Sequence, residues 1–209
     1  MGPISSNNLA IAPPFYICQI DLAGPFKAYH SHSRGTTIKA YYAVFCCTTT
    51  TSVNIKLLVN YSTSEFLLAF TRFACEVGYP KLMMIDKGSQ LVKGCETMEF
   101  SLRDAQHQLR KESNVEFDCC PVGGHNVNGR VERKIKSIRE SIEKSVHNER
   151  LSIIQWETLG ATISNSINDL PIAKGNMSSV PELKYLDLIT PNRLKLGRNN
   201  LEVQMDHYL

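Results

Sequence analysis

The chain has 209 residues, of which 43% are hydrophobic and 21% charged, and its formal net charge is +3. This composition excludes a disordered chain, and the length suits one domain with a real hydrophobic core. No apolar run reaches the length of a membrane span, and no basic leader precedes a long apolar block at the N-terminus. We therefore expect a nuclear or cytoplasmic protein that is not secreted and does not enter a membrane.

The first part of the chain predicts three strands. Their segments are rich in β-branched and aromatic residues, which favour strands, and they comprise residues 15–24, 38–51 and 52–59. The polar segment 24–37, which begins with Gly24 and Pro25, is predicted as a turn or hairpin connection. Because the connections are short, we expect the three strands to form an antiparallel meander.

A helix is predicted next, over residues 62–78. Ser62, followed three residues later by Glu65, forms a capping-box pattern, and apolar residues then recur at helical spacing. Gly78 and Pro80 end this pattern, because glycine favours a helix C-terminus and proline cannot continue a helix. The hydrophobic period therefore changes from that of a strand to that of a helix after the third strand.

The remaining core segments alternate between strand and helix. Two short strands are predicted over residues 81–86 and 115–120. Three helices are predicted over about residues 94–113, from beyond the glycine-rich loop 121–129, and over 153–168. This order predicts an α/β fold in which helices flank a mixed five-stranded sheet. Residues 1–14 and 169–209 are expected to be irregular, which leaves 15–168 as the core domain.

The seven cysteines contain no CxxC pair. Their odd number favours reduced, buried thiols over a disulfide framework. A zinc site is the alternative, since His30 and His32 precede Cys46 and Cys47. However, adjacent residues of a strand point to opposite faces, so these two cysteines are not expected to share a metal ion.

The one dense basic run lies in residues 128–144, within the helix predicted after the glycine-rich loop. It contains the basic residues Arg130, Arg133, Lys134, Lys136, Arg139 and Lys144. Apolar residues recur within it at helical spacing and predict a buried stripe: Val131, Ile135, Ile138 and Ile142. Lys136 and Arg139 follow Glu132 by four and seven residues, so all three share one face that can offer cations to phosphates.

Three acids stand where these elements begin or end. Asp21 lies in the first strand, Asp86 ends the fourth, and Glu132 is expected in the first turn of the basic helix. Clustered carboxylates repel one another, but two Mg²⁺ or Mn²⁺ ions between them remove this repulsion and suit oxygen ligands. An ordinary interpretation stays open, in which Glu132 favours the helix dipole and pairs with Lys136, and the aspartates are simple strand-end acids.

These segments resemble the catalytic core of retroviral-type integrases, and most of all those of LTR retrotransposons of the Pao/BEL group. The resemblance is carried by "QIDLAGPF" around Asp21, by residues 61–91 around Asp86, and by "GGHNVNGRVERKIKSI" around Glu132. The later stretch "LDLITPNRLKLGRN" resembles the segment that follows the core in Pao/BEL polyproteins. The matching segments occur in the family's order and cover nearly the whole chain.

The resemblance implies an RNase H-like fold and a triad of Asp21, Asp86 and Glu132 that holds two Mg²⁺ or Mn²⁺ ions. It implies trimming of DNA 3′ ends, followed by their transfer into target DNA. Element ends and target DNA are then the expected partners, together with further copies of the chain. The expected DNA contacts come from four basic residues: Lys136, Arg139, Arg133 and Lys87.

The chain departs from the family pattern after the third strand and at its ends. Ile85 stands where the family commonly has Ser, and Lys87 where it has Asn or Arg. Leu91 stands where the family often has an aromatic residue. No His/His/Cys/Cys zinc domain precedes Asp21, so we expect a chain that begins inside an element and has a truncated C-terminal extension.

Two other functions stay open on the same fold. One is a catalytically inactive or host-adopted DNA-binding remnant of an integrase, which the missing flanking domains would favour. The other is a ribonuclease H, which would need a further acid on the helix after the third strand. Glu65 is the acid available there, and it lies too near the start of that helix.

Overall fold

A computed structural model describes residues 12–30, 33–86, 102–120, 125–146 and 150–169. The strands within these ranges are β1 (Ile17–His30), β2 (Ser33–Cys47), β3 (Val53–Leu58), β4 (Leu82–Asp86), β5 (Glu116–Cys120) and β6 (Leu151–Ser152). The helices are α1 (Thr63–Val77), α2 (Leu102–Ser113), α3 (His125–Ser145) and α4 (Ile153–Asn168). None of these helices is both long enough and apolar enough to cross a membrane.

The strands form one mixed sheet in the order β3-β2-β1-β4-β5, and β6 adds a two-residue pairing to β1. β1, β2 and β3 pair antiparallel, which confirms the predicted meander. β4 lies parallel to both β1 and β5. The predicted mixed five-stranded sheet is therefore confirmed, whereas β6 was not predicted because two residues are too few to show a pattern.

β1 continues through the segment that was predicted as a turn. It extends to His30, and its pairing with β2 is interrupted only between Ala23 and Phe26 and near its end. Gly24 occupies this interruption with a φ of 136°, and Pro25 follows it where the hydrogen-bonded ladder is broken. A bulge accommodates both residues, because it needs neither the proline N–H nor an ordinary φ. The predicted turn over 24–37 is therefore wrong for residues 24–30 and 33–37.

Helices cover both faces of the sheet, and each face has its own core. Ile20, Leu22 and Cys47 contribute to the core beneath α1 and α2. Cys46 and Ala23 belong to the core beneath α3 and α4. The adjacent cysteines therefore lie on opposite faces, as predicted. Among the cysteines whose side chains are described, Cys18, Cys46 and Cys47 are buried and in no disulfide, whereas Cys75 is exposed, so the expectation of buried thiols is wrong for Cys75.

Local signals place α1 and α4 as predicted. The Ser62 hydroxyl accepts a hydrogen bond from the Glu65 backbone N–H at 3.3 Å, and Gly78 ends α1 with a φ of 92°. Only this half of the predicted capping box forms, because the Glu65 carboxylate accepts from the Val59 N–H at 3.3 Å instead. α4 begins with a complete capping box between Ser152 and Gln155. Both helix starts are short-range features, since the cap and its partner lie three residues apart.

An aromatic cluster fixes α4 against the sheet. The Tyr42 hydroxyl donates to the Trp156 carbonyl, and the Trp156 indole N–H donates to the Lys27 carbonyl at 3.1 Å. Phe26 stacks on the Trp156 ring with their centroids 4.9 Å apart. Burial raises the pKa of Tyr42, which keeps the hydroxyl protonated as a donor. A side chain at Gly160 would meet the Tyr42 ring at 2.9 Å, so the close approach of α4 requires glycine there.

Candidate active site

The sheet brings two of the predicted acids to neighbouring backbone positions. β1 and β4 pair in parallel register, and the last registered pair is Ile20 with Ile85. Asp21 and Asp86 are the next residues of these two strands. They therefore directly follow the last paired residues of two neighbouring strands, although they are far apart in sequence.

Both positions belong to the face of the sheet that α3 and α4 cover. Ile20 and Leu22 pack in the core on the other face, and strand positions alternate, so Asp21 lies on the α3 face. Ile85 packs in that other core as well, which places position 86 on the same face as position 21. The side chain of Asp86 lies outside the described part of the structure.

Asp21 is half-buried, and its carboxylate has a defined partner on its own strand. Oδ1 accepts a hydrogen bond from the Leu22 backbone N–H at 2.8 Å. A carboxylate has about four lone-pair sites, so this one bond does not by itself prevent the carboxylate from binding a metal ion. The bond orients the carboxylate at the edge of the α3 face.

α3 begins earlier than predicted, which changes the position of Glu132. The helix starts at His125 and includes Gly129, so the predicted glycine-rich loop does not extend to residue 129. Glycine within a helix costs about 1 kcal/mol relative to alanine, and this cost is offset when the helix packs against a core. Glu132 therefore lies in the third turn, and the first turn contains no acid. The interpretation of Glu132 as a first-turn acid is wrong.

α3 is anchored to the sheet by the isoleucine stripe that was predicted from its sequence. Ile135, Ile138 and Ile142 are 6%, 0% and 5% exposed, and they pack in the core beneath α3 and α4. Glu132 precedes Ile135 by three residues, which corresponds to about 4.5 Å along the helix axis. The backbone of Glu132 thus lies on a helix that covers the same sheet face as Asp21. The side chains of Val131 and Glu132 are outside the described residues.

The cations predicted to contact DNA on α3 are exposed. Arg133, Lys136 and Arg139 all point away from the core. The Lys136 Nζ lies 3.9 Å from the Glu140 Oε1 in an exposed pair one helical turn apart. Such pairs contribute only about 0.3–0.5 kcal/mol, so a phosphate can compete for Lys136. Lys87, the fourth predicted contact, lies outside the described residues.

Lys134 differs from these cations because it is half-buried. Burial lowers the pKa of its ammonium group, and the Cys46 thiol opposes that shift. Cys46 is a core residue of the sheet face that α3 covers. Lys134 therefore packs towards the sheet, on the opposite side of the isoleucine stripe from Lys136.

Within the described side chains, no group of three His, Cys, Asp or Glu residues is close enough to hold a metal ion. His30, Cys46 and Cys47 do not form such a group, and His32, the fourth residue of the alternative zinc site, lies outside the described residues. This result does not test the predicted triad, because the side chains of Asp86 and Glu132 are not among those described.

One group of cations was missed when the sequence was read. Arg103, His107 and Arg110 lie on successive turns of α2, and all three are exposed. Their spacing of four and three residues was a signal available in the sequence. The acids Asp104 and Glu112 on the same helix make this signal weak in the overall composition.

No family model and no curated protein matches the sequence. Several solved structures match its fold. A chain of the simian T-cell lymphotropic virus intasome, solved in complex with the PP2A regulatory subunit B56 gamma, superposes with a TM-score of 0.59 at 16% identity. The match covers 90% of this chain and 57% of that one. The chain described here therefore spans little more than half of that relative.

Isolated integrase catalytic cores match over nearly their whole length. The HTLV-2 integrase catalytic core domain, solved with magnesium in a dimeric form, has a TM-score of 0.52 at 14% identity, covering 79% of this chain and 94% of that one. The BIV integrase core has a TM-score of 0.53 at 12% identity, covering 87% and 98%. The chain has the fold of an integrase catalytic core. The predicted RNase H-like fold is thereby confirmed, and the low identities limit this likeness to the fold.

Proposed function

We propose that the chain is an integrase catalytic core, of the type found in LTR retrotransposons of the Pao/BEL group. It acts as a divalent-metal-dependent polynucleotidyl transferase that trims DNA 3′ ends and joins them to target DNA. One observation carries this proposal. Asp21 and Asp86 directly follow the last registered pair of two parallel strands, and α3, which contains Glu132, covers the same face of the sheet.

The proposed metal ligands are the carboxylates of Asp21, Asp86 and Glu132. Their oxygens form a donor set that suits Mg²⁺ or Mn²⁺ rather than a softer metal. Two such ions would activate the attacking oxygen and stabilise the leaving oxygen of a phosphodiester. The HTLV-2 cores were solved with magnesium, which supports divalent metal use in this fold.

The proposed role of α3 is to hold the DNA backbone beside these carboxylates. Lys136 and Arg139 are exposed on the helix face of Glu132, where they would bind phosphates and so orient the scissile bond. Arg133 and Lys87 would extend this contact. The isoleucine stripe fixes α3 to the sheet, so the cations and the acids keep a constant separation.

The chain is further proposed to act as a homo-oligomer on element ends and target DNA, in the nucleus or cytoplasm. The HTLV-2 integrase cores, solved in dimeric and trimeric forms, support an oligomer on this fold.

One departure from the family pattern, Ile85 in place of Ser, is compatible with catalytic activity. Ile85 is fully buried in the core on the other sheet face, where an apolar side chain packs better than a hydroxyl.

The decisive experiment measures Mn²⁺-dependent strand transfer on a short DNA duplex. The parent chain should form joined products, and Asp86→Asn should abolish them, because an amide cannot replace a carboxylate as a charged metal ligand. Asp118→Asn is the matched control, since Asp118 is an exposed acid on the neighbouring strand β5 and is not part of the proposed site. A chain that binds DNA but yields no product in any form is instead an inactive DNA-binding remnant.

A further inference from the structure

A second line of cations lies on α2, apart from the proposed catalytic face. Arg103, His107 and Arg110 share one side of this helix at the spacing of one and two turns. Ala105 and Leu109, on another side, are 0% and 4% exposed and anchor the helix in the core beneath α1 and α2. The cations are therefore held on a fixed helix rather than on a mobile loop.

These cations line a cleft between α2 and the edge strand β5. The cleft has a volume of about 290 Å³, and the described residues that line it are Arg103, Asp104, Gln106, His107, Arg110 and Phe117. This volume is close to the lower end of ordinary ligand sites, which begin at about 300 Å³. The lining combines two guanidinium groups, an imidazole and an aromatic ring, so the cleft offers both anion-binding donors and a surface for stacking.

The charge balance within the cleft favours an anion. Among the described residues that line it, two guanidinium groups, Arg103 and Arg110, occur with one acid, Asp104. Other acids nearby already have partners. Glu112 accepts a hydrogen bond from the Gln108 amide at 3.1 Å, and Glu116 pairs with Lys81 at 2.7 Å. Arg110 also interacts electrostatically with Glu116, but Glu116 does not line the cleft.

The spacing of the cations fits a nucleic-acid strand. Arg103 and Arg110 are seven residues apart, which corresponds to about 10.5 Å along the helix axis. Successive phosphates of one stacked strand rise by about 3.4 Å, so this separation spans about three nucleotides. Phe117 is partly exposed at the cleft, where a base could stack on its ring. An acidic peptide would bind the guanidinium groups, but it has no base to stack on the Phe117 ring.

We propose that the α2–β5 cleft binds single-stranded nucleic acid, with Arg103 and Arg110 on phosphates and Phe117 under a base. This site is separate from the α3 surface, because α2 and α3 pack in cores on opposite faces of the sheet. A strand held in the cleft would not be the one that α3 holds. The inference does not depend on the catalytic proposal, since no carboxylate of the proposed triad takes part.

The test measures binding of a fluorescent oligothymidylate to the full chain over a range of salt concentrations. Arg103→Ala with Arg110→Ala should weaken binding at least tenfold. It should also flatten the log–log salt slope by about 0.7 for each lost phosphate contact, or about 1.4 in total. Phe117→Leu should weaken single-strand binding about fivefold or more, with little effect on a blunt duplex that offers no unstacked base. Asp104→Asn should strengthen binding.

A charge-matched control separates this site from general attraction to a basic protein. Lys27 and Lys39 are exposed cross-strand neighbours on the β1–β2 hairpin, so replacing both with Ala removes the same two charges elsewhere. Equal losses in this control and in the arginine double variant would overturn the proposal. It would also fall if polyglutamate displaced the oligonucleotide at equal charge concentration, because that result would indicate an acidic protein partner. Melting curves of the Phe117→Leu variant distinguish lost stacking from lost folding.

Discussion

α2 and α3 cover opposite faces of one sheet, and each carries cations at helical spacing beside a buried apolar stripe. They differ in what lies beside those cations. α3 covers the face where Asp21 and Asp86 occupy neighbouring strands, and it contributes Glu132 from its own sequence. α2 has a cleft with an aromatic ring instead. The comparison teaches that the proposed phosphate contacts need only cations at helical spacing on either face, whereas the proposed chemistry needs acids that the sheet brings together.

The largest expected effect is on strand transfer, which should depend on the acids of the α3 face and not on the cations of α2. Asp21→Asn should reduce strand transfer on duplex DNA more than about a hundredfold, because loss of a metal ligand exceeds the 10–100-fold cost of losing a group that merely supports one. Replacing Arg103 and Arg110 with Ala should leave transfer of a saturating blunt duplex within about twofold. The measurement is the initial rate of product formation in Mn²⁺. A collapse of activity in the α2 variant would mean that the faces do not act separately.

The second expected effect concerns metal binding to the acids of the α3 face. Mg²⁺ or Mn²⁺ should raise the melting temperature, and a metal present at 100 times its Kd would contribute about 2.7 kcal/mol to the free energy of unfolding. Asp21→Asn combined with Asp86→Asn should remove this response. A double variant at Asp104 and Glu112, which removes two exposed acids from α2 on the other face of the sheet, should keep it. A full response in the first variant would place the metal site away from the proposed triad.

The third effect sharpens the assignment of the DNA-binding face of α3. Replacing Lys136 and Arg139 with Ala should flatten the salt slope for duplex binding by about 0.9 per lost contact, or about 1.8 in total. Lys134→Ala should change the slope less, because Lys134 is half-buried towards the sheet beside Cys46. Binding titrations at several salt concentrations provide the slopes. If Lys134→Ala has the larger effect, the DNA-binding face has been assigned wrongly.

The smallest expected effect comes from the exposed pair on α3. Glu140→Gln removes the partner of Lys136 at 3.9 Å and should lower the free energy of unfolding by only about 0.3–0.5 kcal/mol. The same change should strengthen duplex binding by about twofold, because Lys136 loses a competitor and the surface loses a negative charge. Denaturant unfolding and DNA titration of the same sample provide both values. Weaker DNA binding in this variant would contradict a phosphate contact by Lys136.

The sequence was sufficient for features that depend on near neighbours in the chain. The bounds of α4 match the predicted 153–168, and α1 begins at its predicted cap, since each cap and its partner are three residues apart. The buried isoleucines of α3 were also predicted, because one helix period determines which face is apolar. The same local reasoning was wrong at Gly24 and Pro25, where pairing to β2 on either side maintains the strand despite two turn-forming residues.

Within the described part of the chain, the sequence by itself determined the type of each main helix and strand, the antiparallel meander and the residue types that could form a site. Only the tertiary structure decided that β1 and β4 are parallel with Asp21 and Asp86 directly after their last registered pair, that Glu132 lies in the third turn of α3, and that α2 and β5 enclose a cleft. The physical reason is the distance along the chain over which each interaction acts. Caps and apolar stripes depend on interactions within one or two helical turns, whereas register, helix start and cleft depend on packing between segments that are distant in the chain.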